Sequence, residues 1–521
     1  MKPSLTAFLA TTSSKTLVYL TAIGSIVYFG VIAFVFPPDN VILFSLLILG
    51  EVFHTWQALT YLHTIRHMSY EGKSDPDFVP KVDVFITVAG EPIDIIEETA
   101  IAARDMSYPN HRVYILNDGF VAKKDNWQEV EEMAKRLGIG CFTRTVPGGA
   151  KAGNINNAIS LTTAPYFVIF DADHIPHADF LEKTMPYFAD PKMGFVQTPQ
   201  FYKNAYLNDT TKGAWEQQAL FYGPICRGKN HYNATTMCGT NMVLSRHATL
   251  EVGGMCTESI AEDFATGMFI HEKGYKSAYV SEVLAEGLAP EDFLSYTKQQ
   301  FRWARGALDV IFKYNLLMRK GLTFTQKLQY LSSVSFFLSG IVVLTNIMLP
   351  VIFLYSGIVA IKVSGMFLAA VFIPFIFLTL YNLSMTSNYR FTFLALSFAI
   401  SGFWIQLQAL WSSLTKQKVS FAITSKRAVE GSFINLVTPH LVYIGLVVVG
   451  IPIAIMREGF SASLVNNLAW ALFNIGVFVP FIYAAAPELK LSHIFNPQRM
   501  KRRVRSGLFK IRDWVNWLTT E

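Results

Sequence analysis

Long apolar segments are the feature of this 521-residue chain that most constrains its fold. Each is about 20 residues long with almost no charge, enough for a helix to cross a bilayer core of about 30 Å. A cleaved signal peptide would also explain the first segment, but no small-residue cleavage site follows it and a second segment comes at once. The sequence therefore predicts about six membrane spans, which begin with a helical hairpin. The segments cover residues 17–36, 41–61, 330–355, 363–383, 433–456 and 464–484.

Between these segments lies a long, more polar region. The chain as a whole is 51% hydrophobic and 16% charged, whereas about a quarter of the residues in soluble proteins are charged. From residue 70 the hydropathy drops, and short β-rich runs alternate with amphipathic stretches, as in one large soluble domain. We predict four parts, a transmembrane hairpin at 1–69, a soluble domain at 70–321, a second transmembrane region at 322–486 and a basic tail at 487–521.

A further apolar stretch, at residues 391–415, is amphipathic. Phe403, Leu407, Leu410 and Trp411 recur at helical spacing, with glutamines and serines between them. This pattern favours a helix that lies in the membrane interface over one that spans the bilayer. Six spans and an interfacial helix also place the basic residues of segment 416–431 and of the tail on the cytoplasmic side, whereas seven spans would place the tail outside.

The basic residues themselves indicate which partners to expect. The net charge of +6 is concentrated beside the membrane segments, where anionic lipid is the natural partner. We therefore predict a lipid bilayer and no nucleic acid as partners. The same charge distribution predicts a multi-pass protein of the plasma (inner) membrane with its soluble domain in the cytoplasm.

Polar motifs follow three predicted strands of the soluble domain. The apolar runs at residues 82–88, 112–116 and 166–170 end in A-G-E-P, N-D-G and D-A-D-H, respectively. Strands that alternate with helices indicate a largely parallel α/β sheet, and ligands bind such sheets at the carboxyl ends of the strands. We therefore expect the three motifs to share one crevice.

One of these motifs and a separate glycine loop suit a metal diphosphate. Asp171 and Asp173 can ligate a divalent ion such as Mg²⁺ or Mn²⁺ that keeps sites open for phosphates, although most such triplets are solvated turns. The glycine loop at residues 148–154 carries Lys151. That loop can bring backbone N–H groups and an ammonium to a diphosphate, or it can be a plain helix-entry turn.

Two later motifs suit sugar transfer. Asp263 follows Glu262 at a predicted helix start; such a carboxylate is usually a cap, but it can also serve as a base that deprotonates a hydroxyl. Gln299, Arg302 and Trp303 fall on one helix face. Arginine binds phosphate and an indole offers a platform for a sugar ring, although the tryptophan could instead anchor the helix at the membrane surface.

Together these motifs resemble the family 2 glycosyltransferases of the cellulose synthase type, from about residue 80 to residue 430. The string F-A-I-T-S-K at residues 421–426 resembles the F-x-V-T-x-K gating loop of that family. The chain departs from the family at Ala89-Gly90, at Asn117 and at Ala261, where Tyr-Asn, Asp and Thr are usual. The other strings that carry the resemblance are K-A-G-N-I-N-N-A at 151–158, D-A-D-H-I-P at 171–176, F-V-Q-T-P-Q at 195–200, G-L-A-P-E at 287–291 and Q-Q-F-R-W-A-R-G at 299–306.

The resemblance implies a GT-A-type α/β nucleotide-sugar domain inserted in an all-helical transmembrane domain. It implies a UDP-sugar donor, Mg²⁺ or Mn²⁺ as cofactor, and inversion at the anomeric carbon, with Asp173 as metal ligand and Asp263 as general base. The residues implied for the nucleotide and its diphosphate are Glu91, Asn117, Asp118, Lys151, Asp171, Gln299 and Arg302. Those implied for the acceptor are His174, Cys238, Glu262 and Trp303, and those for the gating loop are Phe421, Thr424 and Lys426.

The expected function is that of a processive β-glucan synthase. It would extend a cellulose-like chain from UDP-glucose and thread this nascent polysaccharide through its own helices, with accessory export subunits as possible partners. The alternatives are a β-1,3, mixed-linkage or amino-sugar polymer, a non-processive transferase acting on a membrane lipid, and an inactive scaffold. The scaffold hypothesis predicts loss of the metal ligand or the base, yet Asp173 and Asp263 are both present.

Overall fold

The fold is that of a computed structural model, which describes residues 14–68, 72–388, 390–417, 429 and 431–489. The gating-loop residues Phe421, Thr424 and Lys426 lie outside the described residues, as does the tail from residue 490 onwards. The α-helices are α1 Lys15–Phe34, α2 Val41–Ile65, α3 Ile93–Arg104, α4 Trp127–Leu137, α5 Ala150–Leu161, α6 Phe180–Thr184, α7 Asp209–Leu220, α8 Cys226–His231, α9 Arg246–Glu251, α10 Glu262–Glu272, α11 Phe293–Phe312, α12 Phe324–Ser356, α13 Gly365–Thr386, α14 Phe393–Ser401, α15 Phe403–Leu414, α16 Thr438–Glu458 and α17 Ala462–Ala485. The strands are β1 Val82–Val88, β2 His111–Asn117, β3 Gly140–Thr143, β4 Tyr166–Asp171, β5 Ile175–Pro176, β6 Met193–Gln197, β7 Phe201–Tyr202, β8 Met242–Ser245, β9 Lys276–Tyr279 and β10 Ala285–Gly287.

A seven-stranded sheet forms the centre of the α/β domain. Its strand order is β3-β2-β1-β4-β8-β6-β9, and a smaller sheet has the order β5-β10-β7. In the large sheet only β8 runs antiparallel to its neighbours, β4 and β6. The first four strands pair in parallel, which confirms the predicted largely parallel α/β sheet. The three motif-bearing strands are direct neighbours, so their carboxyl ends meet.

Successive apolar side chains of β1 point to opposite faces of the sheet, which explains why helices cover both faces. Val84 and Ile86 pack into one apolar cluster with α3 and α4, whereas Phe85 packs into another with α5. Each such fully buried side chain stabilises the fold by roughly 1.5–3 kcal/mol. The one charge in the strand, Asp83, is buried beside Arg246, whose Nη2 lies 2.8 Å from its Oδ2.

Helices long and apolar enough to cross a membrane flank this domain. Seven candidates meet that criterion among the described residues, and six of them, α1, α2, α12, α13, α16 and α17, are the predicted spans. At one end of this bundle Lys362 pairs with Asp39 at 2.5 Å, joining the loops between the helices. At the other end the bundle meets the α/β domain, where the Thr210 hydroxyl lies 3.5 Å from the Ala484 carbonyl oxygen. The predicted fold, an α/β domain inserted among transmembrane helices, is confirmed.

The seventh candidate is the segment predicted to be interfacial. It breaks at Gly402 into α14 and α15. Before α14, the Thr392 hydroxyl donates to the Glu216 carboxylate of α7; at the end of α15, the Ser413 hydroxyl donates to Asp309 of α11 at 2.9 Å. Both α7 and α11 belong to the α/β domain. Both ends of the segment are thus tied to the same domain, and its interfacial placement stays a prediction.

Cysteine labelling tests this placement. We expect a membrane-impermeant maleimide to label Arg390→Cys and Gln417→Cys from the same side, only in inside-out vesicles, because these residues flank the interfacial segment. Lys362→Cys, in the loop at the opposite end of the bundle, is the matched control and should be labelled in intact cells. Labelling of the two flanking positions from opposite sides would show that the segment spans the membrane.

Candidate active site

A cleft of about 390 Å³ opens at the carboxyl ends of β1, β2 and β4. It collects every predicted site residue within the described ranges except Asn117. The predicted residues that line it are Glu91, Asp118, Lys151, Asp171, Asp173, His174, Cys238, Glu262, Asp263, Gln299, Arg302 and Trp303. Residues 200 positions apart in the chain thus share one crevice, as expected from the strand-end rule.

Three side chains in this cleft lie close enough together that they could hold a metal ion. Asp171, Asp173 and His174 each place one possible ligand atom within 4.8 Å of the others. Asp173 is oriented by the backbone N–H of Leu288, 3.1 Å from its Oδ2. The imidazole of His174 lies 3.1 Å from Asn241 Oδ1 through its Nδ1. Carboxylate and imidazole ligands fit a divalent ion such as Mg²⁺ or Mn²⁺, so His174, predicted to bind the acceptor, lies with the metal-binding candidates.

Lys151 occupies the middle of the cleft. Its ammonium donates to the Asp171 carboxylate and, at 2.7 Å, to the Gly239 carbonyl oxygen. Burial would lower the pKa of Lys151, but Asp171, Glu262 and Asp263 outweigh burial and raise it. The lysine reaches this place because Gly148 and Gly149 adopt φ of 144° and 67° before α5 begins, a conformation that favours glycine.

Asp118 has a partner that the motifs did not reveal. Arg144 donates two hydrogen bonds to the Asp118 carboxylate, from Nε to Oδ1 at 2.8 Å and from Nη2 to Oδ2 at 2.6 Å. The same guanidinium donates to the carbonyl oxygens of Gly148 and Ala150. Arg144 therefore ties the strand-end aspartate to the glycine loop. Burial raises the pKa of Asp118, and Arg144 opposes that shift.

Asn117, which the resemblance assigns to the nucleotide, is not among the residues that line the cleft. Its side chain is fully buried. The amide nitrogen donates to the Trp127 carbonyl oxygen at 2.8 Å, and the amide oxygen accepts from the Gly119 N–H at 2.9 Å. The carboxamide thus shapes the turn that presents Asp118. A turn-forming asparagine of this kind is common after a strand.

The acid pair stands at the first turn of α10. Glu262 is buried, Asp263 is half-buried, and Asp263 Oδ1 accepts from the N–H of Phe264 at 2.7 Å. Burial and the charge of Asp263 raise the pKa of Glu262 to about 7, and burial also raises the pKa of Asp263. A side chain on Gly239, whose φ is 81°, would approach Asp263 Oδ2 to 2.8 Å. A raised pKa suits a carboxylate that must accept a proton near neutral pH.

One helix presents the remaining motif. Gln299, Arg302 and Trp303 all project from α11 into the cleft, so Trp303 faces the site and not the membrane surface. Burial lowers the pKa of Arg302, against the opposing effect of Glu262 and Asp171. Asp292 caps the helix by accepting from the Ser295 N–H at 2.8 Å. The cap sets where α11 begins, and the helical spacing places Arg302 and Trp303 on the face of α11 that lines the cleft.

A second cavity, of about 360 Å³, adjoins the cleft. Cys238, Asp263 and Trp303 line both spaces and mark their junction. The wall of the second cavity is largely apolar, seven of its 22 lining residues are aromatic, and it reaches α12 at Phe336 and Phe337; we call it the aromatic cavity. A polar cleft with a possible metal site therefore opens, past a carboxylate and an indole, into an aromatic passage toward the transmembrane helices.

Known proteins are similar to this chain in sequence and in fold. Residues 80–306 match the model of the glycosyltransferase-like family 2, and residues 249–481 match that of cellulose synthase. The chain is 30% identical over 423 residues to the cellulose synthase catalytic subunit [UDP-forming] of Pseudomonas fluorescens, covering 77% of this chain and 56% of that protein. It is 34% identical over 322 residues to the putative cellulose synthase 2 of Komagataeibacter xylinus, covering 60% of this chain and 21% of that protein. The chain thus spans about half or less of the length of these curated relatives.

A solved structure shares the fold of the α/β domain. The mannosyltransferase from Pyrobaculum calidifontis, in complex with GDP-Man and Mn²⁺, superposes with a TM-score of 0.53 at 18% identity. The match covers 72% of this chain and all of that protein. Since the identity is low, this likeness shows the GT-A-type fold alone. The two family matches, the cellulose synthase relatives and the cleft at the strand ends lead to one conclusion, that this chain belongs to the family 2 glycosyltransferases of the cellulose synthase type.

Proposed function

We propose that this protein is a processive, inverting glycosyltransferase that builds a β-glucan from UDP-glucose at the cytoplasmic face and passes it into the membrane. One observation carries the proposal: Asp263, Trp303 and Cys238 stand where the polar cleft meets the aromatic cavity. A base, an acceptor platform and an exit are thereby contiguous. The names of the relatives, cellulose synthase catalytic subunits, support the same product class.

The donor would bind at the strand ends. Asp173, with Asp171 and His174, would hold Mg²⁺ or Mn²⁺, which neutralises diphosphate charge when bound. Lys151 and Arg302 supply cationic donors to the same phosphates, and Lys151 would exchange its contact with Asp171 for a phosphate oxygen. Asp118, held by Arg144, would contact the nucleoside.

The transfer itself needs one proton acceptor. Asp263 would take the proton from the acceptor hydroxyl as that oxygen attacks the anomeric carbon, opposite the departing diphosphate. The new C–O bond forms as the bond from the anomeric carbon to the phosphate oxygen breaks, and UDP leaves with the electron pair. Trp303 would stack under the acceptor ring, since an indole offers a large, flat, apolar face, and would hold the acceptor hydroxyl near Asp263.

The Arg144 variants test the donor site. We expect Arg144→Ala to weaken UDP binding about 10- to 100-fold, because charged hydrogen bonds contribute roughly 1.5–3 kcal/mol and both Asp118 and the glycine loop lose their anchor. Arg144→Lys should recover only part of the affinity, since lysine lacks the bidentate geometry. Calorimetric titration with UDP is the measurement, and Arg136→Ala, which removes a surface ion pair with Glu97, is the control. Equal affinity for UDP in the Arg144→Ala variant would contradict this role.

The acid pair predicts a pH profile. Burial raises the pKa of Asp263, and burial together with the charge of Asp263 raises the pKa of Glu262 to about 7. We therefore expect the rate of polymer synthesis to fall as the pH drops through about 7, because the acid pair then takes up a proton and can no longer accept one from the acceptor hydroxyl. Glu262→Gln removes one titrating neighbour and should move this acid limb to lower pH. Initial rates between pH 5.5 and 9 give the answer. An acid limb unmoved by Glu262→Gln would exclude Glu262 from the titration.

A different polymer is the second candidate product. Ala89 lines the cleft where the related enzymes usually carry an aromatic residue, so the contacts that select the donor differ from theirs. The same machinery would then make a β-1,3 or mixed-linkage glucan, or an amino-sugar polymer. Accessory export subunits would meet the product at the far end of the bundle, near Asp39 and Lys362.

Polymer synthesis by the purified protein decides between these candidates. The protein, in lipid nanodiscs with Mg²⁺ or Mn²⁺, is given radiolabelled UDP-glucose, and insoluble product is digested with linkage-specific glucanases. Product digested by a β-1,4-glucanase alone supports the cellulose-like assignment. Product resistant to that enzyme, or made only from UDP-N-acetylglucosamine, supports the second candidate. Transfer of a single sugar to lipid would contradict processive synthesis.

A further inference from the structure

A buried lysine lies behind the wall of the aromatic cavity. Lys229, in α8, is 1% exposed. Its ammonium donates to the hydroxyl of Thr236 at 3.3 Å and to the hydroxyl of Ser333 in α12. Within the described ranges no carboxylate forms an ion pair with it, so hydroxyl oxygens supply its contacts. Burying such a cation is costly, so a buried ammonium beside a largely apolar cavity indicates a role for the groups that it contacts.

Lys229 is separated from the cavity by the hydroxyls it contacts. Thr236 and Ser333 both line the cavity, and the same wall includes Phe336 and Phe337. An ammonium has donors only, so each hydroxyl oxygen accepts from it and must direct its own proton elsewhere. The Ser333 hydroxyl can donate its proton to the Gln329 carbonyl oxygen within the helix, although that contact is long at 3.4 Å. The Thr236 hydroxyl can direct its proton into the cavity that it lines.

The protonation state fits this arrangement. Burial lowers the pKa of Lys229 to about 8, against a smaller opposing effect of Cys226 and Cys238, so the amine is mostly charged at pH 7. The charge polarises both hydroxyls and strengthens them as donors toward the cavity. A ligand in the cavity thus meets O–H groups and not the ammonium, which suits a neutral acceptor such as a sugar hydroxyl.

We propose that Lys229 is a positioning residue that orients Thr236 and Ser333 as a polar subsite for hydroxyl groups of the acceptor sugar chain, just beyond Cys238 and Trp303. The subsite selects the orientation of each sugar ring as it leaves Trp303. This orientation in turn sets the position of the terminal hydroxyl that is next presented to Asp263. This inference rests on the proposed function, since it assigns a specificity-determining part to the same acceptor passage.

The test compares Lys229→Met with Thr236→Val in the full chain in nanodiscs. Methionine retains the length of the buried side chain and removes the donor, and replacing a buried charge by an apolar group is often tolerated.

With UDP-glucose as donor and cellohexaose as added acceptor, we expect the KM for cellohexaose to rise about five- to ten-fold in each variant, the size expected for one or two lost hydrogen bonds. The KM for UDP-glucose should change less than two-fold, and the polymer should become shorter. The double variant should add little, because both changes remove the same subsite. Lys212→Met, at a surface lysine of α7, should leave both constants unchanged.

Three results would overturn the proposal. An unchanged KM for cellohexaose and an unchanged polymer length in Lys229→Met would remove the subsite. If Lys229→Met lowers the Tm and raises the KM for UDP-glucose and the KM for cellohexaose equally, Lys229 is a structural residue only. In that case Thr236→Val, which leaves the lysine in place, would not change the KM for cellohexaose. If the wild-type chain forms no polymer from any nucleotide sugar, the proposed function fails and the subsite fails with it, a result seen before any variant is made.

Discussion

Replacing Asp263 with asparagine is expected to lower the rate of polymer synthesis about 10³-fold, within the range of about 10²- to 10⁴-fold for loss of a general base. Affinity for UDP should remain near that of the wild type. The reason is its position: this carboxylate lines both the cleft and the adjoining cavity, the proposed places of the donor and the acceptor. Asparagine keeps the shape and can still accept from the N–H of Phe264, but it cannot take a proton.

The measurement is radiolabel incorporation from UDP-glucose, paired with calorimetric titration of UDP. Asp105→Asn removes an exposed carboxylate that pairs with Arg104 at 2.7 Å and is the matched control, which should lose no activity. A loss smaller than ten-fold in Asp263→Asn would argue that Glu262, the adjacent buried acid, is the base. A scaffold that handles polymer made elsewhere would respond to neither substitution.

The elements of this site that the sequence could predict are those governed by local patterns. The strands at β1, β2 and β4 follow from apolar runs that end in turn residues, because a buried parallel strand needs side chains that are apolar on both faces. Gln299, Arg302 and Trp303 share a face through helical periodicity alone. Once the strands are parallel neighbours, the strand-end rule brings Asp118 and Asp171 together.

What the sequence could not predict depends on contacts between distant segments. Arg144 follows β3 with no motif around it, and only the pairing of β3 with β2 brings its guanidinium to Asp118. The role of Lys229 likewise could not be predicted, because its contacts come from α12 and from the loop that holds Thr236. Asn117 was assigned by analogy with an aspartate, but its amide satisfies the backbone of its own turn. His174 joined the metal-binding candidates because of the turn after β4, in which its N–H lies 3.0 Å from the Asp171 carbonyl oxygen.

The second large effect is expected at the metal site. Asp173→Asn should reduce polymer synthesis and Mn²⁺ affinity by at least about 10²-fold, since even indirect supports of metal ligands contribute 10- to 100-fold. The side chain is 1% exposed and one of its oxygens already accepts the N–H of Leu288 at 3.1 Å. A carboxylate has a second oxygen for an ion. Asparagine has one acceptor oxygen and no charge, so the ion loses an anionic oxygen ligand while the contact with Leu288 can persist.

Mn²⁺ binding followed by electron paramagnetic resonance separates this loss from a general loss of activity. In the wild type, EDTA should abolish polymer synthesis, and added Mg²⁺ or Mn²⁺ should restore it. Asp173→Asn should show neither high-affinity Mn²⁺ binding nor recovery, whereas Asp179→Asn, which removes a carboxylate that pairs with Lys183 at 3.0 Å, should behave as the wild type. Unchanged Mn²⁺ affinity in Asp173→Asn would mean that Asp171 and His174 hold the ion alone. Because Asp171 also contacts Lys151, that arrangement would leave the lysine less available to a diphosphate, and Asp173 would then be a structural partner of the backbone at Leu288.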